Sequence, residues 1–122
     1  MIDHITIRVS DLEKSKIFYD KALAPLGMKV VLGTEGRFWG WGVDKDPEFE
    51  ISLPEKNDPP HNRVHIAFRA ANKEMVDAFY EAAIEAGGTD NGKPGPRPDY
   101  SETYYAAFVR DLDGNNIEAC FY

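Results

Sequence analysis

The sequence repeats itself, and this limits the folds open to it more than any other feature. A shift of 61 residues aligns HITIRVSDLEKSKIFYDKALAPLG, residues 4–27, with HIAFRAANKEMVDAFYEAAIEAGG, residues 65–88, without a gap. Eight of the 24 positions are identical: His4/His65, Ile5/Ile66, Arg8/Arg69, Glu13/Glu74, Phe18/Phe79, Tyr19/Tyr80, Ala22/Ala83 and Gly27/Gly88. Two unrelated strand-helix segments would share apolar positions, but a matched His, Arg and Gly at fixed spacing points to duplication. The 122 residues then form a single domain of two modules, about residues 1–54 and 63–122, with the polar segment 54–63 as linker. Neither half is long enough to cover its own sheet, so the halves are expected to pair with each other or with another chain.

Each copy opens with a strand pattern. Ile5, Ile7 and Val9 alternate with His4, Thr6 and Arg8, and Ile66 and Phe68 alternate with His65, Ala67 and Arg69. A helix follows each. Ser10 with Glu13 has the form of a capping box, Leu12, Phe18, Tyr19, Ala22 and Leu23 make a helical face, and Pro25 and Gly27 stop it. Asn72 is the expected N-cap of the second helix, whose Val76, Phe79, Tyr80 and Ala83 recur at helical spacing before Gly87 and Gly88. Residues 28–32, 37–43 and 48–53 read as strands between Gly or Asp/Pro turns. In the second half GGTDNGKPGPRPDYSE reads as a long loop, followed by the strands YYAAFVR and NNIEACFY around a DLDG turn. The order is therefore strand-helix-strand-strand-strand, twice, an α+β architecture.

Strand alternation also sorts the polar residues. If Ile5, Ile7 and Val9 pack on the helix, His4, Thr6 and Arg8 point to the opposite face of the sheet, and His65, Ala67 and Arg69 do the same in the second half. Glu50 and Ser52 face away from Phe49, Ile51 and Leu53, and Glu118 and Cys120 face away from Ile117, Ala119 and Phe121. Two histidines and two glutamates thus occupy equivalent places in the two modules. If the sheets curve into a cleft, His4, Glu50, His65 and Glu118 can converge. Two imidazoles and two carboxylates suit Zn, Ni, Co, Mn or Fe(II), and a dication offsets the clustering of acids. Taken singly, such a His is more often a rim residue and such a Glu is more often solvated. What points to a site is the in-phase Glu near the end of each module. Trp39 and Trp41 share one side of their strand and Gly40 and Gly42 the other, which reads as core on one side and space on the other. His61, in the linker, reads as exposed.

Composition narrows the partners. The net charge of -7 argues against the basic face that nucleic acids or anionic membranes require. No apolar run approaches a membrane span, and Asp3 and His4 stand where a signal peptide would be basic and then apolar. Cys120 is the only cysteine and cannot pair within the chain, which fits a reducing compartment. A cytoplasmic location is expected.

The IDHITIRVSDLEKSKIFYDKAL start, the HIAFRA start of the second half and the DLDGNNIEA ending resemble the vicinal oxygen chelate superfamily. That group contains glyoxalase I, fosfomycin-resistance thiol transferases, methylmalonyl-CoA epimerase, extradiol dioxygenases and bleomycin-resistance proteins. The likeness spans essentially the whole chain. It implies two βαβββ modules forming curved sheets around a cleft, with a metal site commonly completed by dimerisation, so a homodimer is expected. By the same resemblance His4, His65 and Glu118 correspond to shared metal ligands, and Glu50 in FEISL to the additional carboxylate of glyoxalase I. Arg8 stands where glyoxalase I has an arginine that meets the carboxylate of its thiol cofactor.

The activity implied is a glyoxalase-like lyase or isomerase acting on a small oxygenated metabolite, by enediolate stabilisation and proton transfer. Glu118 is the expected base, with Glu50 as ligand or second base, and Arg8, Arg69 and Tyr105 are candidate substrate contacts. Glutathione is disfavoured as cosubstrate, because Pro54 follows the Glu50 strand where glyoxalase I offers an asparagine, and Tyr100, Tyr104 and Tyr105 stand where a basic patch would be needed. Two alternatives stay open: a thiol transferase or Fe(II) dioxygenase using only His4, His65 and Glu118, and a metal-free, ligand-sequestering resistance protein. Retention of all four candidate ligands counts against the last.

Overall fold

In a computed structural model describing all residues 1–122, the duplicated pattern becomes a duplicated topology. The first module contains β1 (Ile5–Arg8), α1 (Leu12–Leu23), a single 3-10 turn at Ala24–Leu26, β2 (Lys29–Thr34), β3 (Phe38–Gly42) and β4 (Phe49–Ser52). The second contains β5 (His65–Arg69), α2 (Lys73–Glu85), β6 (Thr89–Pro96), β7 (Tyr105–Arg110) and β8 (Asn116–Phe121). The sheet orders are β1-β4-β3-β2 and β5-β8-β7-β6. In each sheet the first strand pairs in parallel with the last, and the remaining pairs are antiparallel.

One face of each sheet is apolar and carries its helix. Ile7, Val9, Trp41, Phe49 and Ile51 pack against Phe18, Tyr19, Ala22 and Leu23, while Ile66, Ala107, Val109 and Ile117 pack against Val76, Phe79 and Ala83. All belong to one continuous cluster, so the modules share a core within a single chain. Phe49 meets Phe68 edge-on across the seam, with ring centroids 5.5 Å apart. Each fully buried aromatic or branched side chain contributes about 1.5–3 kcal/mol. Trp39 and Trp41 lie on this helix-facing side, and the Trp41 indole donates to Asp20 Oδ1 at 3.0 Å. The opposite faces are free of helices and carry the polar residues.

Local chemistry adjusts two boundaries and confirms a third. The N-cap of α1 is Asp11, whose Oδ1 accepts from the Lys14 amide at 3.0 Å, rather than Ser10. The Ser10 amide turns instead to the Asp113 carboxylate at 3.2 Å, so no capping box forms. Asn72 caps α2 as expected, accepting from the Met75 amide at 2.9 Å. The stretch expected to be a loop from Gly87 to Glu102 contains β6. It pairs only with β7, as an edge strand with register shifts at Asp90/Gly92 and Gly92/Gly95, and an edge tolerates Pro94 and Pro96 because their missing N–H groups face no second strand.

The DLDGN turn is a latch between modules. Asp111 is buried and accepts from the Tyr19 hydroxyl of α1 at 2.6 Å, from the Asn115 amide at 2.9 Å and from Asn115 Nδ2 at 3.0 Å. Asn115 Oδ1 in turn accepts from the Val64 amide, and its Nδ2 donates to the His61 carbonyl. Gly114, at φ +97°, supplies the left-handed residue that closes the turn. His61 is half-buried rather than exposed: Nδ1 accepts from the Arg8 amide at 2.8 Å and its own amide donates to the Arg8 carbonyl at 2.9 Å. It completes the free edge of β1. No helix is long and apolar enough to cross a membrane.

Candidate metal half-sites

Strand register delivers the candidate residues to the helix-free faces, as two separate pairs. In the second module β5 pairs with β8, and the His65 imidazole reaches the Glu118 carboxylate, Nε2 to Oε2, at 2.7 Å. Glu118 is 2% exposed, while the His65 side chain is about half exposed, so a half-exposed imidazole stands in front of a buried carboxylate. Tyr104 donates to the other carboxylate oxygen, Oε1, at 2.7 Å. Burial, with hydrogen bonds to Cys120 and Glu118, raises the Tyr104 phenol well above its ordinary range and keeps it a donor at neutral pH.

In the first module Thr6 pairs with Glu50 across β1 and β4, and its hydroxyl donates to Glu50 Oε2 at 2.8 Å. Glu50 Oε1 has no protein partner. His4 lies just before β1, exposed, with Nδ1 on Asp3 Oδ1 at 2.7 Å. That hydrogen bond and the nearby Glu50 charge raise the His4 pKa above its ordinary value of 6.5. Repetition is therefore imperfect where it matters chemically. Ala67 replaces Thr6 opposite Glu118, so Tyr104 and His65 hold Glu118 where Thr6 holds Glu50. Gly40 stands opposite Glu50, where a Cβ would come within 3.4 Å of Glu50 Cγ, and Phe108 stands opposite Glu118.

The convergence of all four donors does not occur within one chain: no three His, Cys, Asp or Glu side chains gather closely enough to hold a metal ion. The reason is topological. The modules share their helix-side core, so each helix-free face keeps its own His-Glu pair. An imidazole and a carboxylate are donors that suit a borderline dication, and His65 and Glu118 already meet at 2.7 Å, whereas His4 contacts Asp3 and only feels the Glu50 charge; each face supplies only two of the four candidate ligands.

The candidate substrate contacts divide as well. Arg8 lies on the polar face but is engaged at every nitrogen: Nε on Asp58 at 2.5 Å, Nη1 on Ser52 Oγ at 2.6 Å and Nη2 at 3.5 Å from Glu55. It ties the linker down to the sheet. Arg69 stacks over the Tyr122 ring at 3.8 Å and donates to the Tyr122 carbonyl. Tyr105 points to the helix side, where its hydroxyl donates to Asp77 at 2.7 Å, and its neighbour Tyr104 occupies the polar face instead. The period-two rule applied to YYAAFVR separates these tyrosines: Ala107 and Val109 belong to the core, so Tyr105 does too. A cavity of about 650 Å³ opens on the first module's polar face, bounded by Thr6, Arg8, Arg37, Phe38, Glu50 and Leu53 among others; Leu53, which alternation assigns to the packing face, lies one residue past the end of β4, where the period of two no longer holds, and is exposed beside Glu50.

Comparison with known proteins gives one consistent result. A sequence profile described as the Glyoxalase/Bleomycin resistance protein/Dioxygenase superfamily matches residues 1–119. A solved structure of a glyoxalase/bleomycin resistance protein from Albidiferax ferrireducens is 32% identical, covers 98% of each chain and superposes with a TM-score of 0.84. A glyoxalase-related enzyme from Fulvimarina pelagi, 19% identical, aligns over 100% of this chain and 88% of its own at a TM-score of 0.77. The lactoylglutathione lyase of Agrobacterium tumefaciens, 18% identical, aligns over 99% and 92% at 0.71, and at these identities the likeness of the last two is one of fold. Nothing among the curated proteins matches the chain.

Proposed function

The chain belongs to the glyoxalase/bleomycin resistance protein/dioxygenase superfamily, and from that premise we propose that it is a metal-dependent lyase or isomerase of small oxygenated metabolites, active as a homodimer. The observation that carries the reading is the His65-Glu118 pair at 2.7 Å together with its repeat counterpart, His4 beside Glu50. Each is half a ligand set. A second copy of the chain, with its first module facing the second module of its partner, supplies the missing half and makes a site with two imidazoles and two carboxylates. Two such sites form per dimer.

Bound there, a divalent cation supplies Lewis-acid polarisation of adjacent substrate oxygens. The protein's own residues do the rest. Tyr104 holds Glu118 Oε1 and leaves Oε2 directed at His65, which supports a ligand role for that carboxylate. Glu50 keeps Oε1 without a partner and lines the cavity, so it is the carboxylate placed to take a proton from the carbon beside a carbonyl. This proposal differs from the roles that the resemblance implies, in which Glu118 is the base and Glu50 a ligand or second base. Thr6 orients Glu50 without covering its free oxygen.

The test is metal uptake followed by proton exchange. Purified protein supplied with Zn, Ni, Co, Mn or Fe(II) should bind one ion per chain, and His65→Ala and Glu118→Gln should abolish uptake. Glu50→Gln should retain the metal more strongly than Glu118→Gln and lose exchange of the substrate's carbon-bound proton. Protein that takes up no transition metal, with ligand binding unaffected by His65→Ala, would instead be a sequestering protein.

A further inference from the structure

The cavity on the first module's polar face contains two arginines in opposite states. Arg8 is saturated by Asp58, Ser52 and Glu55. Arg37, on the β2-β3 hairpin, is exposed, and its guanidinium has no hydrogen bond or carboxylate within ion-pair distance. Of the other charges of the wall, Glu55 faces Arg8, which Asp58 also engages from outside the lining, and Glu50 accepts from Thr6 through Oε2 and keeps Oε1 free. Beside Arg37 the wall is apolar: Phe38 is its chain neighbour, and Leu32 and Leu53, 49% and 39% exposed, line the same opening. The backbone holds this arrangement in place. Arg37 closes the hairpin, its amide donating to Thr34 and its carbonyl accepting from the Leu53 amide, so the side chain starts from a fixed point at the end of the β3-β4 ladder.

From this juxtaposition we infer that the cavity takes a small molecule with a carboxylate at one end and a short apolar body, and that Arg37 is the residue that selects it. A guanidinium with five donors and no acceptor of its own favours a planar anion, and the volume of about 650 Å³ is that of a pocket for a small ligand. The apolar body lies over Phe38, Leu32 and Leu53, which directs the remaining end of the molecule toward Thr6 and Glu50. As a statement of substrate class this rests on the catalytic reading of Glu50 above; as a statement of binding it does not.

The probes are hexanoate, hexan-1-ol and hexylammonium, which share an apolar body and differ in the end group, titrated into the metal-free full chain and followed by NMR shifts of the Arg37 side chain and the Thr6 and Leu53 amides. Hexanoate should bind about threefold or more tightly than hexan-1-ol, and Arg37→Met should remove that preference while leaving hexan-1-ol unchanged. The variant should melt with the wild type, since the Arg37 side chain contacts no polar partner. Equal binding of hexanoate and hexan-1-ol, tighter binding of hexylammonium, a preference that survives Arg37→Met, or no shifts with any probe would overturn the inference. A Zn²⁺ titration of the same sample separates the two ideas. Metal uptake with no carboxylate preference leaves the catalytic reading standing, and carboxylate preference with no metal uptake leaves only the binding site.

Discussion

Tyr104 and Glu118 are joined by a 2.7 Å hydrogen bond to Oε1 of a carboxylate that is 2% exposed and whose other oxygen is held by His65. A buried carboxylate with a single donor is expensive, and this module has no Thr6 equivalent to replace the phenol. Tyr104→Phe is expected to cost about 1.5–3 kcal/mol, as for a hydrogen bond to a charged acceptor, read as a lower urea midpoint at unchanged slope. An unaltered midpoint would mean that water replaces the phenol without loss.

The Asp111 latch gives a sharper test of how the modules are held together. Tyr19, on α1 of the first module, donates to a carboxylate on the β7-β8 turn of the second, and both residues are buried. Tyr19→Phe and Asp111→Asn should each destabilise, and the double variant should lose less than the sum of the two. A coupling of about 1–3 kcal/mol is expected from residues in one hydrogen-bond network. Strict additivity in denaturant unfolding would show that the turn does not act as a latch.

How far the sequence carries the fold is visible in these two clusters. The repeat and strand alternation placed His4, His65, Glu50 and Glu118 on the helix-free faces, and matched spacing placed both helices, because these depend on periods of two and about 3.6 that residue type alone reveals. Tyr104 precedes β7 by one residue, and among the adjacent tyrosines it is Tyr105 that shares phase with Ala107 and Val109, which leaves Tyr104 on the polar face. The state of Arg8 was illegible for a different reason. Its partners Asp58 and Glu55 come from the linker, which has no period, and only the folded path of that segment brings them to β1. Nor does any pattern within one chain say that two modules sharing a helix-side core keep their His-Glu pairs apart.

His4 carries a pH prediction whose sign follows from its neighbours. The Asp3 hydrogen bond, then the Glu50 charge, raise its folded-state pKa above 6.5. The associated stabilisation is fully present below the unfolded value and is lost as pH rises through the raised folded value. Metal binding needs the neutral ring, so affinity at this half-site should climb as pH passes the same point. An NMR titration should find the His4 midpoint above 6.5, and Asp3→Asn should bring it, and the pH dependence of metal uptake, downward. A midpoint that ignores Asp3→Asn would assign the shift elsewhere.

The division of the ligand set between modules makes the homodimer testable without knowing the substrate. If each site takes His4 and Glu50 from one chain and His65 and Glu118 from its partner, a His4→Ala/Glu50→Gln protein has no intact site, and neither does a His65→Ala/Glu118→Gln protein. Mixed dimers differ. One of their sites combines both sets of substitutions, and the other combines none. After unfolding and refolding an equimolar mixture, random pairing makes half the dimers mixed, so about one quarter of the wild-type sites should be restored, as metal bound and as activity. Sites completed within a single chain would restore nothing, because every chain in the mixture carries a substitution. Recovery near one quarter therefore supports the shared site, and zero recovery from a mixture shown to contain mixed dimers rejects it.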